Sequence, residues 1–116
     1  NLRLFQETFS ADERFIIQRE NGKSSSFSFT IILNPERQPD RQRVFAALRE
    51  ADIGFRIITG GCFLRHDVLS YYDYDVVGEI VHANTAHDYG FFVGNQPHDL
   101  TLQIERLHEV LDPCCR

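Results

Sequence analysis

Lysine is almost missing from this chain: Lys23 stands alone among 116 residues, in the polar run Glu20-Asn21-Gly22-Lys23-Ser24. A lysine that forms a Schiff base must be desolvated or held by neighbours, and in that run it is solvated, so the chain brings no reactive amine. Acidic residues outnumber Lys and Arg by 17 to 12, for a formal charge of -5 and a pI near 5.4. The arginines are dispersed, whereas nucleic-acid binding needs clustered cations that release counterions, which excludes that partner. No apolar run approaches the roughly 20 residues of a membrane span, and no charged start followed by an apolar stretch marks a signal peptide. A membrane partner is thereby excluded, and the expected compartment is the cytosol. Three cysteines, with Cys114 and Cys115 adjacent near the end, make a poor disulfide framework and are expected reduced.

What is present is enough for one modest core. Hydrophobic residues make up 42% of the chain and ten are Phe, which fits a single domain over residues 1–116. The chain begins with Asn1, contains no Met, and Leu2 to Phe5 reads as if already inside a helix. It is expected to be a piece of a longer protein.

Residues 27–33 alternate and then turn β-branched, which predicts a strand that Asn34-Pro35 stops. Asp40 is placed to cap a helix over residues 41–52, with Val44, Phe45, Leu48 and Ala51 on one stripe and Gly54 as its stop. Residues 55–58 form a second strand, followed by the Gly60-Gly61 turn and a weakly helical stretch over residues 64–72. A short helix over residues 83–89 is closed by Gly90 and followed by a strand over residues 91–93. A last helix, over residues 100–111, aligns Leu100, Ile104, Leu107 and Leu111 before Pro113. Phe15-Ile16-Ile17 is a candidate edge strand joined to Phe27 through the Asn21-Gly22 turn, and Ser24 to Ser26 read as loop. The order predicts an α+β layer: a small three- to four-stranded, largely antiparallel sheet with helices on one face.

Two segments stand out for chemistry. Arg56-Ile57-Ile58-Thr59-Gly60-Gly61-Cys62-Phe63 and Gly90-Phe91-Phe92-Val93-Gly94-Asn95-Gln96-Pro97 both read as apolar strands running into glycine-bearing turns, which expose backbone groups to a ligand. His66-Asp67, His87-Asp88 and His98-Asp99 have the residue types of a metal phosphohydrolase, but such domains are helical throughout and strands intervene here. Polar turns and helix starts account for the three pairs better, and no metal is expected. Cys62 sits in an exposed-looking turn, where a nucleophile would also need a base within reach; a small residue fitting a tight turn is the simpler account.

The run Gly60-Gly61-Cys62-Phe63-Leu64-Arg65-His66-Asp67-Val68-Leu69-Ser70-Tyr71-Tyr72-Asp73-Tyr74, with Val77-Gly78-Glu79-Ile80, Ala83-Asn84 and 90–95, resembles the C-terminal domain of DegT-type pyridoxal-phosphate-dependent sugar aminotransferases. Within that family it is most similar to the branch holding the nucleotide-sugar 3-dehydratases of lipopolysaccharide O-antigen synthesis. Asp12 to Gln18 and Ser25 to Phe29 fit the same branch, so the likeness covers nearly the whole chain.

The resemblance implies the small C-terminal domain of a fold-type-I enzyme whose large cofactor domain is absent from this chain. Its cofactor would be pyridoxal phosphate or pyridoxamine phosphate, carried by the full-length protein and not bound to this fragment. Its partners would be its own large domain, a homodimer mate and a nucleotide-linked 4-keto-6-deoxyhexose, which the whole enzyme would dehydrate at C3 or aminate at C4. A lysine or histidine in the large domain would separate the two reactions, so no catalytic residue is expected here. Substrate contacts would fall on Arg56, Gly60, Gly61, Cys62, Phe63 and Asn95. Arg56 could hold a carboxylate or phosphate by paired hydrogen bonds or face solvent at a sheet edge. Cys62 stands where relatives more often have Asn, and Asn95 could reach substrate or cap a strand end. The alternative is a stand-alone interaction or ligand-binding module without catalytic activity.

Overall fold

A computed structural model describes residues 1–115. Among the described residues there are four α-helices, α1 (Leu2–Phe9), α2 (Arg41–Glu50), α3 (Val81–Tyr89) and α4 (Thr101–Leu111), and four strands, β1 (Phe15–Ile17), β2 (Ser28–Leu33), β3 (Phe55–Ile57) and β4 (Gly90–Gly94). The strands form one sheet in the order β1-β2-β4-β3, and every neighbouring pair is antiparallel. No helix among these residues is long and apolar enough to cross a membrane.

The alternation in β2 decides which side becomes the core. Phe29, Ile31 and Leu33 are buried while Thr30 and Ile32 between them are half-buried, as expected of a strand with one covered face. Register carries the same division across the sheet: Phe29 opposes Val93 and Ile31 opposes Phe91, while Thr30 opposes Phe92 on the other side. Against the apolar face lie Phe5 and Phe9 of α1, Val44, Phe45 and Leu48 of α2, and Ile104, Leu107 and Leu111 of α4. Phe5 stacks on Phe29 with ring centroids 4.6 Å apart, and Phe45 sits edge-on to Phe91 at 5.7 Å. The predicted α+β layer is therefore the architecture found, and the stretch 2–5 does open a helix.

Local signals act as the sequence suggests, with shifts of a few residues. Asp40 accepts hydrogen bonds from the Gln42 and Arg43 amides at 3.0 and 3.1 Å, satisfying two donors that the first turn leaves open. The helix ends at Glu50, earlier than expected, because Asp52 takes the left-handed conformation at φ 56° and Ile53 N–H returns to Leu48. Gly54 then belongs to the approach to β3. The edge strand pairs as predicted, but Phe15 opposes Leu33, so residues 18–27 form a wide connection rather than a tight Asn21-Gly22 hairpin.

One expected helix is replaced. Residues 64–72 form two short 3-10 turns, Phe63–Arg65 and Asp67–Tyr71, because the apolar side chains there have no core to face. Val68, Tyr71, Tyr72, Tyr74, Val76 and Val77 are all exposed, and residues 71–79 contain no buried position. Helix α3 starts at Val81, two residues earlier than expected. Its last turn comes down on the sheet face that the other helices leave open: a Cβ on Gly90 would lie 2.3 Å from the Ala86 carbonyl oxygen and 2.6 Å from Ile58 Cγ1.

Candidate functional site

The open sheet face carries Thr30, Ile32, Arg56 and Phe92, all of even register against the buried set. Arg56 opposes Phe92 and is exposed, and its guanidinium makes no hydrogen bond or ion pair with any described residue. Beside it, Gln18, Ser26, Phe27, Thr30, Ile58, Thr59 and Phe92 line a cleft of about 400 Å3. Phe27 and Phe92 meet edge-on at 6.3 Å and give that cleft an aromatic wall, with hydroxyl groups around it. Sequence reasoning named Arg56 as a contact and Thr59 only as part of the segment 56–63, and gave no role to Thr30 or Gln18. The signal for Thr30 was present in the alternation of β2, which puts a polar side chain on the face opposite Phe29 and Ile31.

The turn after β3 is held by two imidazoles. His66 Nε2 lies 2.8 Å from the Gly60 carbonyl oxygen, and the Cys62 amide donates to His87 Nδ1 at 3.2 Å. Gly61 has φ +50°, and a Cβ there would fall 2.4 Å from His87 Nδ1, so only glycine leaves room for the ring. Arg65 pairs with Asp88, fastening the following 3-10 turn to α3. Phe63 projects outward, 60% exposed, with its ring centroid 5.5 Å from that of His66.

Cys62 corrects an expectation. The turn around it is exposed, but the cysteine itself is 1% exposed, because its amide is drawn to α3 and the chain doubles back with Arg65 N–H on the Cys62 carbonyl. It faces the protein rather than solvent.

Asn95 is placed elsewhere. Strand β4 runs from Gly90, beside the glycine turn, to Gly94, so Asn95 is separated from Gly60 to Phe63 by the length of that strand, about 15 Å at 3.3 Å per residue. Its amide is engaged at both ends: Nδ2 donates to the Ser26 carbonyl at 2.6 Å, and Oδ1 accepts from Asn1 Nδ2 at 3.2 Å. Asn1 also donates to the Gln96 and His98 carbonyls and accepts from Leu100 N–H. Arg56, opposite Phe92, thus sits between the two, with the glycine turn beyond one end of the strand pair and Asn95 beyond the other.

Two of the three His-Asp pairs take the expected turn and helix-start positions, whereas His87-Asp88 lies in the last turn of α3. His66 and His87 hold the glycine turn, Asp88 holds Arg65, and Asp99 accepts from the Thr101 hydroxyl and amide at 2.7 and 2.9 Å at the entry to α4. The Thr101 hydroxyl is the main cause of a carboxyl held below its ordinary range at Asp99. Among the described residues no three His, Cys, Asp or Glu side chains come together as a metal site.

The architecture is thus an antiparallel α+β sheet with three helices on one face and, on the other, α3 over part of it beside an exposed arginine and a clamped glycine turn. No family model matches the chain. Over 112 residues, 96% of its length, it is 38% identical to GDP-4-keto-6-deoxy-D-mannose 3-dehydratase of Yersinia pseudotuberculosis, and over the same length 35% identical to the enzyme of that name from Escherichia coli O55:H7. The chain spans 28% and 29% of those two relatives. It also superposes on the solved structure of the E. coli enzyme with bound hydrated PLP, with a TM-score of 0.89 at 35% identity, covering 96% of this chain and 29% of that one. A GDP-4-keto-6-deoxymannose 3-dehydratase variant with bound GDP-perosamine gives 0.88 at the same identity and coverage. The chain is homologous to the C-terminal part of GDP-4-keto-6-deoxymannose 3-dehydratase, a pyridoxal-phosphate-dependent enzyme of the DegT type.

Proposed function

We propose that this chain is the small C-terminal domain of a cytosolic nucleotide-sugar 3-dehydratase, acting on a GDP-linked 4-keto-6-deoxyhexose and removing its C3 hydroxyl. The observation that carries the reading is a continuous match of 112 residues to two such dehydratases, at 38% and 35% identity, with the same fold. That match supports the enzyme reading over a stand-alone binding module. The 4-amination considered above has no comparable support.

The residues present do not fit the cofactor. An internal aldimine needs a desolvated amine, and the only lysine, Lys23, is exposed in the connection between β1 and β2. On this reading the cofactor, whose pyridine ring would withdraw electrons, would be held by polypeptide outside this chain. This domain binds, orients and closes. Arg56 offers an uncommitted planar guanidinium suited to phosphate oxygens, and the turn from Gly60 to Phe63 supplies a backbone wall beside it. The exposed aromatic and aliphatic side chains of residues 71–79 are more apolar surface than one short segment ordinarily leaves to water, which supports burial against the large domain or the homodimer mate.

The test is turnover by the full-length polypeptide that contains this chain, supplied with pyridoxal phosphate, glutamate and the GDP-linked 4-keto-6-deoxyhexose, followed by proton NMR of the sugar. The expected product lacks the C3 hydroxyl. A 4-amino sugar that keeps that hydroxyl, or no conversion, rejects the assignment. Arg56→Ala is expected to raise KM about tenfold or more, as loss of a charge-assisted hydrogen bond does.

A further inference from the structure

The two imidazoles at the glycine turn differ in what they require. His66 Nε2 faces a carbonyl oxygen and must donate, which it does whether the ring is neutral or charged. His87 Nδ1 faces an amide N–H and must accept, which only a neutral ring with its proton on Nε2 can do. We propose that His87, in that tautomer, is the positioning residue that holds the turn from Gly60 to Cys62 in place, and that loss of its acceptor nitrogen opens the turn and uncovers Cys62.

Space and connectivity support this role. The ring occupies the volume a side chain on Gly61 would need, 2.4 Å from the Cβ position, so turn and imidazole fit each other and no third group intervenes. Cys62 is buried although both its sequence neighbours Gly61 and Phe63 are not, and its amide is tied to α3 by this bond. Against His87 lie the Cys62 amide and, with its centroid 6.4 Å away, the His66 ring, while Arg65 pairs with Asp88, the next residue of the same helix. His87 lies in the last turn of α3, where the helix carbonyls favour a cation, so the bond from Cys62 opposes the local field rather than following it.

Reaction of Cys62 with 4,4′-dithiodipyridine, which attacks thiols in mild acid as well as at neutral pH, reads the turn directly. Peptide mass mapping separates Cys62 from Cys114 and Cys115, which are buried elsewhere and serve as an internal reference. In the full chain at about pH 7.5, Cys62 is expected to stay as protected as that reference. His87→Ala should make it react about fivefold to tenfold faster, from loss of one hydrogen bond. His87→Asn, whose amide oxygen can stand in for Nδ1, should keep it protected. Equal protection in the Ala variant and the original chain, or fast labelling of the Asn variant, overturns the proposal. Should the Ala variant not fold, His87→Leu, which fills the ring's volume without an acceptor, takes its place, with fast labelling expected and protection overturning the proposal.

The consequence for activity rests on the substrate-wall reading above. In the full-length enzyme, His87→Ala is then expected to raise KM more than it lowers kcat, with His87→Asn restoring KM. Fast Cys62 labelling without a change in KM would keep the latch and reject the wall.

Discussion

Asp12 and Arg14, two residues apart, form a forked ion pair: Asp12 Oδ1 accepts from Arg14 Nε at 2.8 Å and Oδ2 from Nη2 at 2.6 Å. The same carboxylate meets His108 Nε2 at 3.0 Å, and Arg14 Nη1 reaches Asp112 Oδ1 at 3.0 Å, so a turn between α1 and β1 is fastened to the end of α4. Both side chains are largely buried, at 14% and 21% exposure. Replacing Asp12 by Ala leaves the guanidinium with Asp112 alone and is expected to cost about 1.5–3 kcal/mol, the range for hydrogen bonds to charged groups. Urea denaturation at neutral pH checks it, and an unchanged midpoint would show the pair to be dispensable.

The same pair sets a pH dependence. Hydrogen bonding to Arg14 pulls the Asp12 carboxyl from its ordinary 3.8 down to about 2. A depressed carboxyl stabilises the fold fully above its unfolded value and loses that contribution as pH falls through the folded one. Stability of the original chain should therefore drop between about pH 4 and about pH 2 more steeply than that of Asp12→Asn. Parallel denaturation curves over that window would refute the assignment.

Gly90→Ala tests steric fit alone, since Gly90 has φ -91° and any residue can adopt that backbone. The added methyl would press on the Ala86 carbonyl and Ile58, and the expected loss is about 1–3 kcal/mol, as for other overpacked sites. Thermal unfolding gives the answer; a rise in Tm would mean the two segments yield freely.

Phe27 and Phe29 offer a paired control. Phe29 is 2% exposed and stacked on Phe5, and its replacement by Ala should cost about 3–5 kcal/mol. Phe27 is 77% exposed, and Phe27→Ala should stay within about 0.5 kcal/mol in this chain. Similar losses for both would mean the open face is not open.

Much of the layer was legible because hydrophobic spacing reports which face is covered. The stripe of Val44, Phe45 and Leu48, the Asp40 cap and the alternation of β2 all led to elements of the right type. Reading 64–72 as a helix failed because its spacing of apolar residues had no core opposite it in this chain. The six expected site residues are spread along the sheet: the turn from Gly60 to Phe63 lies beyond one end of β3, Arg56 is mid-strand opposite Phe92, and Asn95 is carried to the far end by β4. His87 drew notice only as half of a His-Asp pair, because nothing in local sequence says which amide an imidazole 25 residues away will meet.

By itself, the sequence determined the kinds of element, the buried faces and the want of a cofactor-holding amine, since each depends on side-chain type and short spacing. Tertiary structure alone decided that Cys62 turns inward, that Asn95 joins Ser26 to Asn1, and that His87 must accept rather than donate. Those outcomes depend on which backbone groups long-range strand pairing brings within hydrogen-bond reach, and a linear chain does not specify distances between residues it has not yet brought together.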